Sequence, residues 1–348
     1  MENFDTSMSS NFPKPRKEIE NMNPYLAPLE GRRNLLRLDF NENTIGPSPK
    51  VIDAIRSISS NEISIYPEYN GLQKAVANNL NSLNKTKLEA SQIGVFNGVD
   101  SAIHAIFHSY GNVKEKFLTT LPTFGYYNPC ANMQGMQIIE IPYEGKNFSF
   151  PFTAIKNSLT KDKPRLLMIC NPNNPTGTKT SAKSILELAL LAPETLVIVD
   201  ELYEAFLGDS ILPIIDFCQT PNVVVLRSLS KISGLAGLRI GFGIGNKEVI
   251  NRIKRVTGPY DINSFAVKAA FAALKDQEYI ENYIREVLEA REWIHDKLVT
   301  YKIKHHIDSG NYFLLWPKRN ASEIESSLKA NGILVRNMKN KPLIEGSL

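Results

Sequence analysis

The sequence predicts a doubly wound, mostly parallel α/β sheet accompanied by a smaller α+β domain, and three observations predict it. Short apolar runs alternate with amphipathic helical segments through the first two thirds of the chain, and runs apolar throughout belong to strands covered on both faces. Polar residues gather directly after four of these runs, where open parallel sheets bind ligands. Beyond about residue 259 the alternation gives way to long helices and a few short strands, the pattern of a second, smaller domain.

The elements follow in order. Residues 1–40, with Pro13, Pro15, Pro24 and Pro28, read as an extended arm that joins the small domain. Helical spacing spans 47–59, 71–80 and 98–110, and the apolar runs are 93–96, 117–120, 137–141, 166–169, 196–199 and 223–226. Residues 41–258 make the large domain. Residues 259–348 make the small one, with helices at 264–274, 279–298 and 322–331 and strands at 312–316 and 333–336.

Composition narrows the function classes. With 348 residues, 43% of them hydrophobic, the chain can bury a large core. Its net charge of +4, from 40 basic and 36 acidic residues well mixed along the chain, makes no case for nucleic acid or membrane and suits small anionic substrates. Cys130, Cys170 and Cys218 are odd in number and far apart, which argues against a disulfide framework or zinc cluster and makes the cytoplasm the expected compartment. No apolar run is long enough to span a bilayer, and the polar N-terminus is unlike a signal peptide. His104 and His108 lack the glutamate of a zinc-protease helix, and no metal site is expected.

The strand ends carry the chemistry. Gly98 opens a helix directly after a strand, so the amides of Val99 and Asp100 can face an anion along the helix dipole. Ser228, Ser230 and Arg239 add two hydroxyls and a forked guanidinium, completing a cup for phosphate. Lys231, between those serines and Arg239, is an amine able to hold an aldehyde cofactor covalently. Asp200 ends an apolar strand, where an unpaired carboxylate is expensive to bury. Its partner is either a basic side chain elsewhere in the core or the protonated ring nitrogen of a pyridine cofactor. Tyr203 and Asn174 can reach a ring oxygen, Asn174 being otherwise an Asx-turn residue, and Phe124 can cover a ring face or serve as core.

The strings CNPNNPTGT, VIVDELY and SLSKISGLAGLRIGFG, in this order on these strand ends, resemble those of the fold-type I pyridoxal-phosphate aminotransferases. FNENTIGPSP, YPEYNGLQKAVA, FNGVDSAIHAIF and LPTFGYYN resemble the histidinol-phosphate aminotransferase branch, and the similarity covers about residues 22–348. The resemblance implies pyridoxal 5′-phosphate as cofactor, with Lys231 forming the internal Schiff base and then carrying the proton. Asp200 would pair with the pyridine nitrogen, Tyr203 and Asn174 with the ring oxygen, and Phe124 would stack. The phosphate would be held by Ser228, Ser230, Arg239 and the Val99 and Asp100 amides. Tyr66 would reach the neighbouring subunit's cofactor in a homodimer, and Tyr25 and Arg336 would line the substrate pocket. The implied reaction converts L-histidinol phosphate and 2-oxoglutarate to imidazole acetol phosphate and L-glutamate, a step of histidine biosynthesis.

The sequence departs from the family in two places. It stops at Leu348, where members continue with an arginine that grips the substrate carboxylate, so the small domain is expected to lack its last elements and glutamate binding to suffer most. Arg336, Arg32 or Arg33 are candidate substitutes. Ile232-Ser233-Gly234 after the lysine is the second departure. The alternatives are an aromatic-amino-acid aminotransferase, a threonine-phosphate decarboxylase and a cofactor-binding pseudoenzyme.

Overall fold

The computed structural model describes residues 13–20, 22–24 and 30–348. In chain order its helices are α1 (Lys17–Glu20), α2 (Pro49–Arg56), α3 (Ser60–Ser64), α4 (Leu72–Asn84), α5 (Gly98–Tyr110), α6 (Tyr127–Met133), α7 (Phe152–Asp162), α8 (Ala182–Leu191), α9 (Lys247–Lys254), α10 (Ser264–Lys275), α11 (Gln277–Thr300) and α12 (Ala321–Ala330). The strands are β1 (Leu36–Arg37), β2 (Ile93–Phe96), β3 (Lys116–Leu121), β4 (Gln137–Pro142), β5 (Leu166–Cys170), β6 (Leu196–Asp200), β7 (Val223–Ser228), β8 (Gly241–Gly245), β9 (Lys304–His306), β10 (Leu314–Trp316) and β11 (Ile333–Leu334).

Seven strands form the main sheet in the order β2-β8-β7-β6-β5-β3-β4. All neighbours are parallel except β8, which runs antiparallel to both β2 and β7. The expected doubly wound, mostly parallel sheet is present, with β8 as the strand the apolar-run search misses. Its sequence Gly-Phe-Gly-Ile-Gly carries three glycines, which weaken any strand signal.

Although β5, β6 and β7 read as continuous apolar runs, alternate side chains serve opposite cores. Leu167, Ile169, Val197, Val199, Val223 and Val225 pack with α2, α4, α8 and α10 residues on one face. Leu166, Met168, Cys170, Leu196, Ile198, Val224 and Leu226 pack with α5, α6 and α9 residues on the other. Asp200 follows in the second register, so its carboxylate belongs to the α5/α6 side.

The helix predicted over 47–59 is shorter than expected, and a separate helix follows it. Ser57 caps the end of α2, and Ser59 starts α3 with a reciprocal capping box to Glu62, so two serines supply the stop and the start.

Outside the main sheet, β1 near the front of the chain pairs in parallel with β11 near its end, and β9 pairs antiparallel with β10. Leu348 exchanges two backbone hydrogen bonds with Leu315, at 3.2 and 2.9 Å. Segment 38–43 follows β1 and meets the residues after β7 where the Phe40 carbonyl accepts from Lys231.

Candidate active site

Strand direction assembles the first part of the site. Because β8 is antiparallel, its first residue lies at the same sheet edge as the last residues of β2 and β7: Gly241 registers with both Phe96 and Ser228. Gly98 after β2, Ser228 at the end of β7 and Arg239 just before β8 therefore meet, as a parallel strand at that position would not allow.

Gly98 adopts φ +78°, and a Cβ built on it would lie 2.5 Å from Arg239 Nη2. Only glycine lets the α5 N-terminus and the guanidinium approach this closely. Arg239 Nη2 donates to Asp100 Oδ2 at 2.9 Å. Ser228 Oγ lies 2.9 Å from Ser230 Oγ and 3.0 Å from the Ile240 carbonyl oxygen. The result is a cup of two hydroxyls, one guanidinium and the amide end of a helix, the donor set a phosphate group requires.

Lys231 and Asp200 stand beside this cup. The Lys231 ammonium donates to the Phe40 carbonyl at 2.7 Å, and Nζ lies 5.8 Å from the Tyr203 ring centre. Burial lowers the Lys231 pKa to about 8; Glu42 and Asp100 oppose this shift, while Arg239 adds to it. Asp200 is 3% exposed. Its partners among the described residues are the Tyr127 hydroxyl, donating to Oδ2 at 2.6 Å, and the Leu202 amide, donating to Oδ1 at 3.2 Å. Burial pushes its pKa up to about 6, against the pull of Tyr127 and the amide. Among the described residues no basic side chain hydrogen-bonds to Asp200.

The Tyr203 hydroxyl accepts from Asn174 Nδ2 at 3.4 Å and Asn41 Nδ2 at 3.2 Å, so two of the sequence-selected residues touch. Tyr312 packs edge-on to Tyr203 at 4.8 Å and donates to the Asn173 carbonyl at 2.8 Å. Phe124 meets Tyr127 edge-on at 5.4 Å. It also borders a cavity of about 620 Å³ shared with Ile19, Met22, Asp100, Tyr126 and Met133.

The comparisons agree with this geometry. The family model "Aminotransferase class I and II" matches residues 33–347. The chain belongs to that family. A histidinol-phosphate aminotransferase of Moorella thermoacetica is 31% identical over 95% of this chain and 87% of its own length. A dihydroxyacetone phosphate transaminase of Campylobacter jejuni is also 31% identical, over 92% of this chain and 88% of its own. The crystal structure of histidinol-phosphate aminotransferase from Sinorhizobium meliloti, in complex with pyridoxal-5'-phosphate, superposes with a TM-score of 0.82 at 23% identity, covering 94% of this chain and 90% of that one.

In this aminotransferase Tyr66 and Arg336 make their ring contacts outside the cup. Tyr66 is 70% exposed and its ring stacks on Tyr260 at 4.0 Å. The Arg336 guanidinium lies 5.6 Å from the ring centre of Phe40, the residue whose carbonyl accepts from Lys231. Tyr25 lies outside the described residues. Arg32 lies over the same Phe40 ring at 4.1 Å and is ion-paired there: it forks onto Asp39 at 2.6 and 3.0 Å and reaches Glu42 at 2.9 Å. Arg33 is exposed.

Three groups at the site escape sequence reasoning. Tyr127 is the first residue of α6, three places after Phe124 in the preceding loop, and nothing in that local spacing points to Asp200. Phe40 and Asn41 contribute a backbone carbonyl and an amide from a segment without periodicity. Glu201 and Arg227 flank Asp200 and Ser228 in sequence and form an ion pair at 2.7 Å, with Arg227 also bonded to Glu204 and to Ser210 Oγ. That pair ties the ends of β6 and β7 together.

Proposed function

We propose that this aminotransferase is a pyridoxal-phosphate-dependent enzyme exchanging an amino group between L-histidinol phosphate and 2-oxoglutarate, to give imidazole acetol phosphate and L-glutamate. The observation that carries the cofactor assignment is the meeting of Lys231 and Asp200 beside the Gly98–Ser228–Ser230–Arg239 cup, an amine, a buried carboxylate and a phosphate site at adjoining strand ends. Relatives at 31% identity support the substrate assignment.

Ser228, Ser230, Arg239 and the Val99 and Asp100 amides would hold the phosphate, Asp200 the ring nitrogen, Tyr203 and Asn174 the ring oxygen, and Phe124 one ring face. The bound cofactor supplies an electron-withdrawing ring that stabilises negative charge on the substrate carbon. Lys231 moves the proton: with its pKa lowered to about 8, Nζ has a neutral fraction able to accept one near neutral pH. Tyr66 serves the neighbouring subunit of a cytoplasmic homodimer, and Tyr25 and Arg336 serve the substrate.

A second reading is favoured by the Campylobacter relative, whose name specifies dihydroxyacetone phosphate. Both readings share a phosphorylated substrate. A spectral titration separates them. The visible band of the protein with pyridoxal phosphate should bleach on adding histidinol phosphate and return with 2-oxoglutarate. Bleaching by 2-amino-3-hydroxypropyl phosphate alone would select the second reading, and by tyrosine or phenylalanine alone an aromatic enzyme. Carbon dioxide release from threonine phosphate would select a decarboxylase, and a band that no donor bleaches a pseudoenzyme.

A further inference from the structure

Tyr127 has no part in the roles given above, yet it makes the shortest contact to Asp200. Its side chain is fully buried on α6, and its ring is held by Phe124, edge-on with an interplanar angle of 77°. An isolated carboxylate in apolar surroundings takes up a proton, and a hydrogen bond donated to the anion opposes this. The phenol itself stays protonated, because burial and the adjacent Asp200 charge push it well above its ordinary range.

We propose that Tyr127 is a positioning residue, which by donating to Oδ2 keeps the Asp200 carboxylate anionic and in one orientation for the ring nitrogen of the cofactor. This rests on the reading that the chain binds pyridoxal phosphate. Carboxylate and ring nitrogen compete for one proton, and a donor on the carboxylate leaves that proton on the nitrogen. The Leu202 amide holds the other oxygen, Oδ1, at the longer distance of 3.2 Å, and the remaining groups that influence the carboxylate do not replace Tyr127. Cys170 on β5, Tyr203 and Tyr312 are all pushed upward by burial and stay neutral, while Asp100 and Lys231 act on Asp200 in opposite directions.

The test uses the full chain loaded with pyridoxal phosphate labelled with nitrogen-15 in the ring, whose chemical shift reports the ring proton. Three proteins are compared: wild type, Tyr127→Phe, and a protein with 3-fluorotyrosine at position 127 alone. The fluorinated phenol is nearly isosteric and a stronger donor, so it tests the proposal even where Tyr127→Phe fails to fold. Ring protonation near neutral pH should rise in the order Phe, Tyr, fluorotyrosine, and cofactor affinity of Tyr127→Phe should fall by about tenfold or more, as for loss of a hydrogen bond to a charged group. Equal ring shifts in the folded proteins would overturn the proposal while leaving the cofactor assignment intact. Failure of the wild type to take up the cofactor would overturn both.

Discussion

The Lys231 ammonium and the Phe40 carbonyl form a 2.7 Å hydrogen bond between the end of β7 and the segment leading from β1. The same segment places the Asn41 amide on Tyr203, and the Asn41 carbonyl accepts from Asn311. The reactive amine is thus held by a backbone carbonyl, close to the groups it serves.

Cofactor uptake should follow the neutral fraction of Lys231, because only the neutral amine attacks an aldehyde. Burial lowers its pKa to about 8 from 10.5, so the uptake rate should rise with pH and level off above about 8. Stopped-flow absorbance over a pH series checks this; a midpoint at the ordinary lysine value would contradict it. Lys231→Ala should show no covalent band at any pH.

Asp200 should cost the ligand-free protein stability. Its pKa is raised from 3.8 to about 6 on folding, so the folded state binds the extra proton. Stability therefore falls as pH rises through that window, and the full cost, on the order of 3 kcal/mol, is present above it. Asp200→Asn should melt several degrees higher than wild type near neutral pH, and the gap should close below about pH 4. A calorimetric comparison giving the same or a lower melting temperature at neutral pH would refute the burial cost.

Gly98→Ala should weaken cofactor binding and stability together. The added methyl would meet Arg239 Nη2 at 2.5 Å, on a backbone at φ +78°. Strain of this kind costs about 1–3 kcal/mol. Equilibrium dialysis of pyridoxal phosphate and a denaturant titration measure the two effects; unchanged affinity would show that the cup tolerates a side chain there.

Arg227→Met should destabilise the fold by about 3–5 kcal/mol, because it leaves a buried carboxylate without its cation. The Glu201 side chain is 0% exposed, and its pKa is already pushed up to about 7 by burial despite Arg227. The double variant Arg227→Met with Glu201→Gln should recover much of the loss in chemical denaturation. No recovery would mean that Glu204 and Ser210, not the buried charge, dominate.

Complementation tests the role given to Tyr66. Tyr66→Ala and Lys231→Ala should each lose activity, and a mixture reassembled from unfolded or dissociated subunits should regain it, since one site of each mixed dimer has both groups. Continued inactivity, with mixed dimers shown by mass spectrometry, would remove Tyr66 from the neighbouring site.

The legible parts of the molecule were those where chemistry and spacing coincide. The ends of β2, β5, β6 and β7 could be read because each apolar run stops at a polar residue, and Asn174 and Tyr203 do meet. Strand β8 was hidden by its glycines, and its reversed direction, which delivers Arg239 to the cup, is a property of topology that no local pattern carries. Tyr127 was hidden for a related reason. A tyrosine in a short helix reads as core, and it is core; its hydroxyl gains meaning only from Asp200, 73 residues away. The ion pairs of Arg32 were not legible because Asp39 and Glu42 close on it through a turn without periodicity.

The position of β8 has a consequence for assembly. Among the described residues, strand β2, first of the main sheet in sequence, joins it only through β8, the last. The cup drawn from Gly98, Ser228 and Arg239 thus cannot exist until chain segments more than a hundred residues apart have closed on each other, the slow, non-local kind of pairing. Phosphate affinity is then a reporter of the completed sheet, so a cofactor that binds there stabilises the finished fold and no partial one.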